Sequence, residues 1–242
     1  MIEKKINISI ISHNQANIIK DLLHDLEKFD FYNEILITIN CEENIEELKK
    51  FHKLPITFIT NNKVKGFGEN HNNAFKYKSC DYFLIINPDV RILNINFNNF
   101  FKYFDNANIK LISPIAVDKY NNVQDSARKF PSPITPILRR ISFFRENKYL
   151  DSLNYNEVDW VSGMFMMINS EFFKKVGMFD EKFFMYYEDV DLCKRIKKFN
   201  GKILRINTEK VLHKGQHQSH KSLKYLLIHL KSMAYYHFKY FL

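Results

Sequence analysis

Residues 6–29, INISIISHNQANIIKDLLHDLEKF, join a nearly continuous β-branched run to a segment whose apolar residues recur at helical spacing. The run at 6–12 is typical of a strand buried on both faces, and 17–29 predicts an amphipathic helix. The same alternation continues downstream, with strands predicted at 34–40, 56–60 and 82–86 and helices at 44–51 and 70–78. Strands that alternate with helices indicate an α/β fold with a mostly parallel central sheet.

Polar residues follow the predicted strands where each strand ends. His13 follows the first strand, Asn40 ends the second, and Asp89 follows the strand at 82–86. Ligands of open α/β sheets bind beyond the carboxyl ends of the strands, at a topological switch point. We therefore predict one shared cleft at this edge of the sheet.

The segment YEDVDLCKRIKK, residues 187–198, places Glu188, Asp189 and Asp191 at the start of a predicted helix. Acidic residues in a first turn stabilise a helix, and Asp191 has cationic residues three and four positions later, so a purely structural role is one interpretation. Asp189 has only apolar residues or cysteine at those positions. The alternative is that the cluster supplies a general base.

A second acidic element, Asn87-Pro88-Asp89, directly follows the predicted strand at 82–86. The dipeptides Asn-Pro and Pro-Asp both favour turns, so a plain turn is one interpretation. Carboxylate and amide oxygens are also suitable ligands for Mg²⁺ or Mn²⁺. A carboxylate at a strand end and another at a helix start suit a metal-assisted displacement, in which the first holds a cation against a diphosphate and the second takes a proton from the attacking hydroxyl.

Three further segments suit either a ligand or ordinary structure. Residues 66–70, GFGEN, precede a helix and form either a glycine loop near a phosphate or a turn. Trp160 is the single tryptophan and precedes Ser162-Gly163, a break in the strand predicted at 158–168, so it is either core or a sugar-stacking residue. Residues 213–220 contain three histidines, of which only His213 is predicted to be functional.

Composition limits the class of protein. The 242 residues are 45% hydrophobic, which fits one domain with a sizeable core. The net charge of +9 indicates either an acidic partner or compositional drift, and the scattered basic residues argue against nucleic-acid binding. Three widely spaced cysteines predict neither a disulfide framework nor a zinc site. Without a predicted signal peptide or an apolar run long enough to span a bilayer, a cytoplasmic location is expected.

Residues 219–242 predict an amphipathic helix that follows a domain at 1–218. Its apolar stripe consists of Leu223, Leu226, Leu227, Leu230, Met233, Ala234, Phe238 and Phe241. Such a helix packs on its own domain, pairs in a homodimer, or lies on an anionic membrane surface. We expect a mixture, in which the first half docks on the domain and the aromatic tail lies near lipid at the inner face of the cell membrane.

In this order, these segments resemble the family 2 inverting glycosyltransferases, and within them the rhamnosyltransferase-like branch. The resemblance covers most of the chain, in the segments 6–14, 65–74, 87–89, 159–166, 188–191 and His213. It implies a single nucleotide-binding domain with the glycosyltransferase A fold. It also implies that Asp89 contacts the divalent cation, that Glu188-Asp189 supplies the base, most often its second residue, and that His213 completes the metal or diphosphate site.

The resemblance extends to the other site residues. Those expected to bind the donor are Ser12, His13, Asn14, Asn40, Gly68, Asn70, Asn87 and Asp89. Those expected near the sugar or acceptor are Trp160 and Gly163, and those expected in catalysis are Asp189, Glu188 and Asp191, the last by positioning the acidic helix with Arg195. An insertion at 128–145 is expected to shape the acceptor side, with its basic residues Arg128, Lys129, Arg139, Arg140 and Arg145 facing a phosphate or solvent.

The sequence departs from the family at one place. Relatives carry an Asp-Asn-x-Ser element that reads the nucleotide, whereas residues 37–43 here read ITINCEE. The aspartate is missing, and Glu42 or Glu43 is left as its substitute.

We therefore predict a metal-dependent inverting glycosyltransferase, with Mg²⁺ or Mn²⁺ as cofactor. Its donor would be a nucleoside-diphosphate sugar, dTDP-rhamnose or a UDP-hexose, and its acceptor a hydroxyl of a cell-surface glycan, free or lipid-linked. A non-catalytic scaffold that binds glycan is one alternative. A sugar nucleotidyltransferase is another, disfavoured because no glycine-rich, Arg-containing loop follows the first strand.

Overall fold

The computed structural model describes residues 4–131, 153–215 and 223–241. The strands are β1 (Ile6–Ser12), β2 (Glu34–Ile39), β3 (Ile56–Thr60), β4 (Tyr82–Ile86), β5 (Val90–Asn94), β6 (Ile109–Val117), β7 (Ala127–Arg128), β8 (Tyr155–Glu157), β9 (Trp160–Val161), β10 (Phe165–Asn169) and β11 (Lys202–His213). The helices are α1 (Ala16–Leu26), α2 (Glu46–Lys49), α3 (Phe67–Tyr77), α4 (Phe97–Phe104), α5 (Ser170–Lys175), α6 (Glu188–Lys198) and α7 (Leu223–Phe241). This order confirms the predicted α/β class.

The central sheet has the strand order β3-β2-β1-β4-β10-β6-β11-β5, with β8 paired to β11. Strands β1 to β4 are parallel, because a helix connects each to the next. The other half is mixed: β10 is antiparallel to both its neighbours, and β11 is parallel to β6 but antiparallel to β5. The last strand, β11, runs from Lys202 to His213, and its register against β6 shifts between Ile206 and Lys210.

Helices cover both faces of the sheet, which explains why its strands are so uniformly apolar. All six residues of β2 are buried, as expected for a strand with helices on both sides. One core cluster joins the sheet to α1, α2 and α4, and the other joins it to α3, α5 and α6. The result is a three-layer domain whose strand ends are left to form the site.

Helix α7 packs on the segment that precedes α6, but its orientation reverses our prediction. The tail docks: Tyr236 is fully buried, and Ser232 is also buried. The first half is the less buried one, with Leu223 at 79% and Leu227 at 66% exposure. The prediction was wrong because tyrosines of the tail form hydrogen bonds with the domain. The leucines and phenylalanines of the apolar stripe cannot form such bonds. No helix in the described parts of the chain is long and apolar enough to cross a membrane.

Candidate functional site

A cavity of about 1070 Å³ lies between the carboxyl ends of β1, β2 and β4, the segment that leads into α6, and helix α7. Its size suits a nucleotide sugar with part of an acceptor. Of the predicted site residues, those that line it are His13, Asn40, Asn70, Asn87, Asp89, Trp160, Gly163, Glu188, Asp189 and His213. The structure therefore brings together ten predicted residues from seven separate segments.

Asp89 and His213 meet on one wall of this cavity. The turn after β4 is held by the Asn87 N–H, which donates to the Met164 carbonyl at 2.8 Å. The strand β5 that follows pairs with the end of β11, so that His213 lies opposite Val90. As a result, His213 Nε2 lies 3.5 Å from Asp89 Oδ2, and both side chains are largely buried.

Gln124 orients the His213 ring, and the sequence contained no signal for it. Its amide nitrogen donates to the His213 carbonyl at 2.9 Å, which leaves its Oε1 to face His213 Nδ1 at 2.7 Å. Because Oε1 can only accept, Nδ1 carries a proton. In the neutral ring, Nε2 is then the nitrogen with a lone pair, and it faces the Asp89 carboxylate.

This pair of groups fits a divalent cation. A nitrogen lone pair and a carboxylate both present negative charge to each other, and a cation between them attracts both groups. An imidazole whose other nitrogen donates to an amide oxygen has the arrangement usual for metal ligands. The described residues contain no group of three His, Cys, Asp or Glu side chains that could hold a metal ion. Asp89 and His213 would thus supply two ligands and leave the remaining positions to phosphate oxygens and water.

Asp189 lies on the cavity wall at the start of α6, with its carboxylate held by two backbone amides. The Gly163 N–H donates to Oδ2 at 3.0 Å, and the Val190 N–H donates to Oδ1 at 2.8 Å. Burial raises the pKa of Asp189 above its ordinary value, although these amides and the charge of Arg128 favour the ionised form. A fixed carboxylate with a raised pKa is suited to accept a proton.

Glu188 is more deeply buried than Asp189. Burial, and then the negative charge of Asp189, raise the pKa of Glu188 well above its ordinary value, and its Oε2 has no hydrogen-bond partner. The preceding residues, Tyr186 and Tyr187, both have φ of 68°. Two consecutive non-glycine residues in the left-handed region are strained, and such strain is concentrated at functional sites.

We expect Glu188→Gln to stabilise the fold, increasingly so as pH rises. A carboxyl whose folded-state pKa is raised binds its proton more tightly in the folded chain. The contribution of the Glu188 carboxyl to the free energy of unfolding is therefore fully present below the unfolded-state pKa of about 4.3. It is lost as pH rises through the folded-state pKa. Glutamine cannot ionise, so the variant avoids this loss. Melting temperatures across this pH range test it, with Glu42→Gln at an exposed position as control. A constant difference between variant and wild type would contradict the prediction.

Trp160, Arg128 and Lys129 form the wall beside Asp189. The Trp160 indole N–H donates to the Lys129 carbonyl at 3.0 Å, and the Arg128 guanidinium lies 5.6 Å from the Trp160 ring. Both basic residues line the cavity, and their expected role on the acceptor side stays a prediction. The other basic residues of that prediction, Arg139, Arg140 and Arg145, lie outside the described residues.

Asn40 and Asn70 line the cavity but act mainly as a scaffold for its edge. Asn61, which was not predicted, donates to both of their side-chain oxygens, at 2.9 and 2.6 Å. The Asn40 and Asn70 amides in turn donate to the Lys65 carbonyl, which shapes the loop before α3. Gly68 does not line the cavity: a Cβ there would lie 2.7 Å from the Phe179 Cβ, so glycine permits close packing.

Two other donor-side predictions fall outside the cavity lining. Ser12 is fully buried, and its Oγ accepts from the Gln15 N–H at 3.4 Å. Asn14 is exposed and has a φ of 58°, a conformation that asparagine tolerates. Neither Glu42 nor Glu43 lines the cavity, and Glu43 accepts from the Ala16 N–H at the start of α1. No acidic residue of this segment therefore faces the donor space.

Asp191 is also separate from the cavity. It is fully buried, and the Arg195 Nε donates to it at 2.9 Å. The Tyr240 hydroxyl and the Lys239 ammonium both contact its Oδ1 at 2.7 Å. Asp191 thus holds α7 against α6, which agrees with a positioning role and excludes direct contact with a ligand in the cavity.

The sequence of the chain is similar to those of known glycosyltransferases. The model of glycosyl transferase family 2 matches residues 8–177. The rhamnosyltransferase WbbL of Escherichia coli K12 is 28% identical over 238 residues, which cover 93% of this chain and 89% of that protein. The N-acetylglucosaminyl-diphospho-decaprenol L-rhamnosyltransferase of Mycobacterium tuberculosis is 26% identical over 186 residues, which cover 71% of this chain and 60% of that protein.

Solved structures show the same fold. GalNAc-T7 with UDP, GalNAc and Mn²⁺ superposes with a TM-score of 0.68 at 14% identity. The match covers 88% of this chain but only 44% of that longer one. At this identity the likeness establishes the arrangement of strands and helices alone.

Proposed function

The chain belongs to glycosyl transferase family 2 and is a glycosyltransferase, and we propose that it is a metal-dependent enzyme that transfers its sugar with inversion. The observation that carries this proposal is that one cavity holds both the Asp89–His213 pair and the Asp189 carboxylate. This arrangement supports a site for the leaving diphosphate and a base for the attacking hydroxyl around one space.

The donor is a nucleoside-diphosphate sugar whose diphosphate lies at the Asp89–His213 wall. These two residues would hold Mg²⁺ or Mn²⁺, and the bound cation would neutralise the charge that develops on the leaving diphosphate. A related fold has been solved with UDP and Mn²⁺ together, which supports this assignment. His13 and Lys65 also line the cavity and would add positive or hydrogen-bonding groups toward the donor.

Asp189 acts as the general base. It takes the proton of an acceptor hydroxyl while that oxygen forms a bond to the anomeric carbon, and the bond from that carbon to the diphosphate oxygen breaks. The Gly163 N–H fixes the carboxylate in the cavity, so the base needs no reorganisation during the reaction. A single displacement from the face opposite the leaving group inverts the configuration at the anomeric carbon.

The sugar is rhamnose from dTDP-rhamnose, or a hexose from a UDP-hexose, and the acceptor is a growing cell-surface glycan. Two of the relatives named above are rhamnosyltransferases, which supports the first donor. The mycobacterial name specifies a lipid-linked acceptor, which supports an acceptor of the same class here. The half-buried Trp160 ring lines the cavity beside Asp189 and suits a sugar platform.

A panel of nucleotide sugars tests this function. Each donor is incubated with the protein and Mn²⁺, or with EDTA, and released nucleoside diphosphate is measured with and without glycan acceptors. We expect release from one donor class only, dependent on the cation and increased by acceptor. Release of nucleoside monophosphate, or equal rates in EDTA, would overturn the proposal.

Removing Gln124 should weaken the cation site without touching a ligand. We expect Gln124→Ala to lower Mn²⁺ affinity by about 10–100-fold, because the partner that fixes the His213 ring is lost. Titration of Mn²⁺ by calorimetry measures this. Asn122→Ala is the matched control, since Asn122 lies in the same turn and its hydrogen bonds are to Asp118. Equal Mn²⁺ affinities in the two variants would show that Gln124 does not support the cation site.

A further inference from the structure

One face of α7 fixes this helix to the domain through polar contacts. The Ser232 hydroxyl donates to the Met185 carbonyl at 2.7 Å, and the Tyr235 hydroxyl donates to Asp180 at 3.0 Å. Tyr236 is fully buried between these contacts and packs with Phe183. The helix therefore has a defined rotation about its own axis, which determines what its other face presents.

That other face is apolar and exposed over the whole length of the helix. The exposed large side chains are Leu223 (79%), Leu226 (47%), Leu227 (66%), Leu230 (44%), Phe238 (65%) and Phe241 (47%). With 19 residues the helix is about 28 Å long, so the stripe is far more extensive than scattered surface leucines. An apolar stripe of this length requires an apolar partner in water.

Charge distinguishes between two such partners. Residues 223–241 contain three lysines and no Asp or Glu, and Lys224 and Lys231 are exposed. A second copy of the helix would bring like charges together without any acidic residue on α7 to offset them. An anionic bilayer instead offers apolar chains beneath a negatively charged surface, which matches leucines beside lysines. We propose that this face of α7 binds an anionic lipid bilayer.

The cavity lies against the docked side of α7, opposite the apolar face. Tyr225, Ile228, His229 and Met233, on this docked side, line the cavity. Lys129 and Lys224 are exposed at its rim. A helix seated in the lipid surface would therefore hold the cavity one helix diameter, about 10 Å, from the lipid chains, close to the headgroups. If the proposed function holds, this position admits an acceptor whose diphosphate is linked to a lipid.

Vesicle co-sedimentation of the full chain tests the proposal. Vesicles of phosphatidylcholine alone are compared with vesicles that also contain phosphatidylglycerol, at low and high salt. We expect binding only to the anionic vesicles, and weaker binding at high salt because the Debye length shortens. The double substitution Leu227→Glu with Phe238→Glu should lower affinity by about tenfold or more, because it replaces apolar side chains with charges that lipid repels. Both positions are exposed, so folding is preserved.

The control is Tyr77→Glu with Tyr120→Glu, which changes two residues at 61% and 73% exposure away from α7. It should bind vesicles as wild type does. Equal binding by the α7 variant would overturn the proposal, as would a wild type that ignores anionic vesicles. A dimer in sedimentation velocity that the α7 substitutions dissociate would assign the stripe to a second copy instead. Transfer to a soluble acceptor, measured in the same variants, fails only if the proposed function is wrong.

Discussion

Asp189→Asn should lower kcat by about 10²–10⁴-fold, which is the range typical for loss of a general base. Asparagine has nearly the same shape, and it can still accept from the Gly163 N–H, but it cannot take a proton from the acceptor hydroxyl. Because we propose that the diphosphate binds at the Asp89 wall, the Kd for the donor should change little. Steady-state transfer rates and donor binding by calorimetry measure the two effects separately.

The pH profile gives this prediction a second readout. Since burial raises the pKa of Asp189, the wild-type rate should fall on the acid side at a pH above the ordinary aspartate value of about 3.9. The fall should be absent from the residual activity of Asp189→Asn. Glu188→Gln and Asp191→Asn serve as comparisons, because Glu188 lacks a fixing amide pair and Asp191 does not line the cavity. Near-normal turnover in Asp189→Asn would transfer the role of the base to one of these residues.

The local pattern of the sequence was sufficient to predict the half of the sheet that contains β1 to β4. Strands β1 to β4 alternate with helices in sequence, so their parallel pairing follows from short-range periodicity. The order β10-β6-β11-β5 depends on long-range pairing that no periodicity specifies. It is this half that brings His213 beside Asp89, 124 positions away in sequence, and the resemblance to a family was needed to predict it.

Some residues of the site could not be predicted from the sequence, for a related reason. Gln124 and Asn61 act by filling the hydrogen-bonding needs of His213 and Asn40, which depend on the folded geometry. Gly68 and Asp191 lie in the same motifs as residues of the cavity, but neither lines it. Glycine at position 68 permits close packing on Phe179, and the Asp191 carboxylate accepts a hydrogen bond from Arg195. Motif position therefore predicted which segments form the cavity better than it predicted which atoms face into it.

Helix α7 shows that a correct apolar pattern did not predict which half of the helix docks. Amphipathic periodicity identified its apolar stripe, and burial of that stripe is the usual outcome for a helix on a domain. Here the buried charge of Asp191 and the half-buried charge of Asp180 require partners, and Tyr235, Lys239 and Tyr240 supply them. Satisfying two carboxylates determined the rotation of the helix and left its leucines outside.

Asp89→Ala should weaken binding of Mn²⁺ and of the donor together, by about 100-fold or more, which exceeds the 10–100-fold typical for an outer-shell partner. The Asp89 carboxylate is the negatively charged ligand of the proposed cation site, and His213 alone would hold the cation weakly. Without the cation, the diphosphate loses its counter-ion. Donor Kd measured with Mn²⁺ and with EDTA tests this: wild type should gain affinity from Mn²⁺, and Asp89→Ala should not.

The fold should survive this substitution. The Asp89 carbonyl accepts from the Lys214 N–H at 3.1 Å through the main chain, and that contact remains in the variant. His213→Ala and the double variant complete a cycle: two ligands of one ion are expected to be non-additive, because loss of either already removes most of the site. Asp105→Asn, on the exposed end of α4, is the control and should bind both ligands as wild type does. Mn²⁺-dependent donor binding of wild-type strength in Asp89→Ala, or strict additivity in the cycle, would show that Asp89 and His213 do not share a cation.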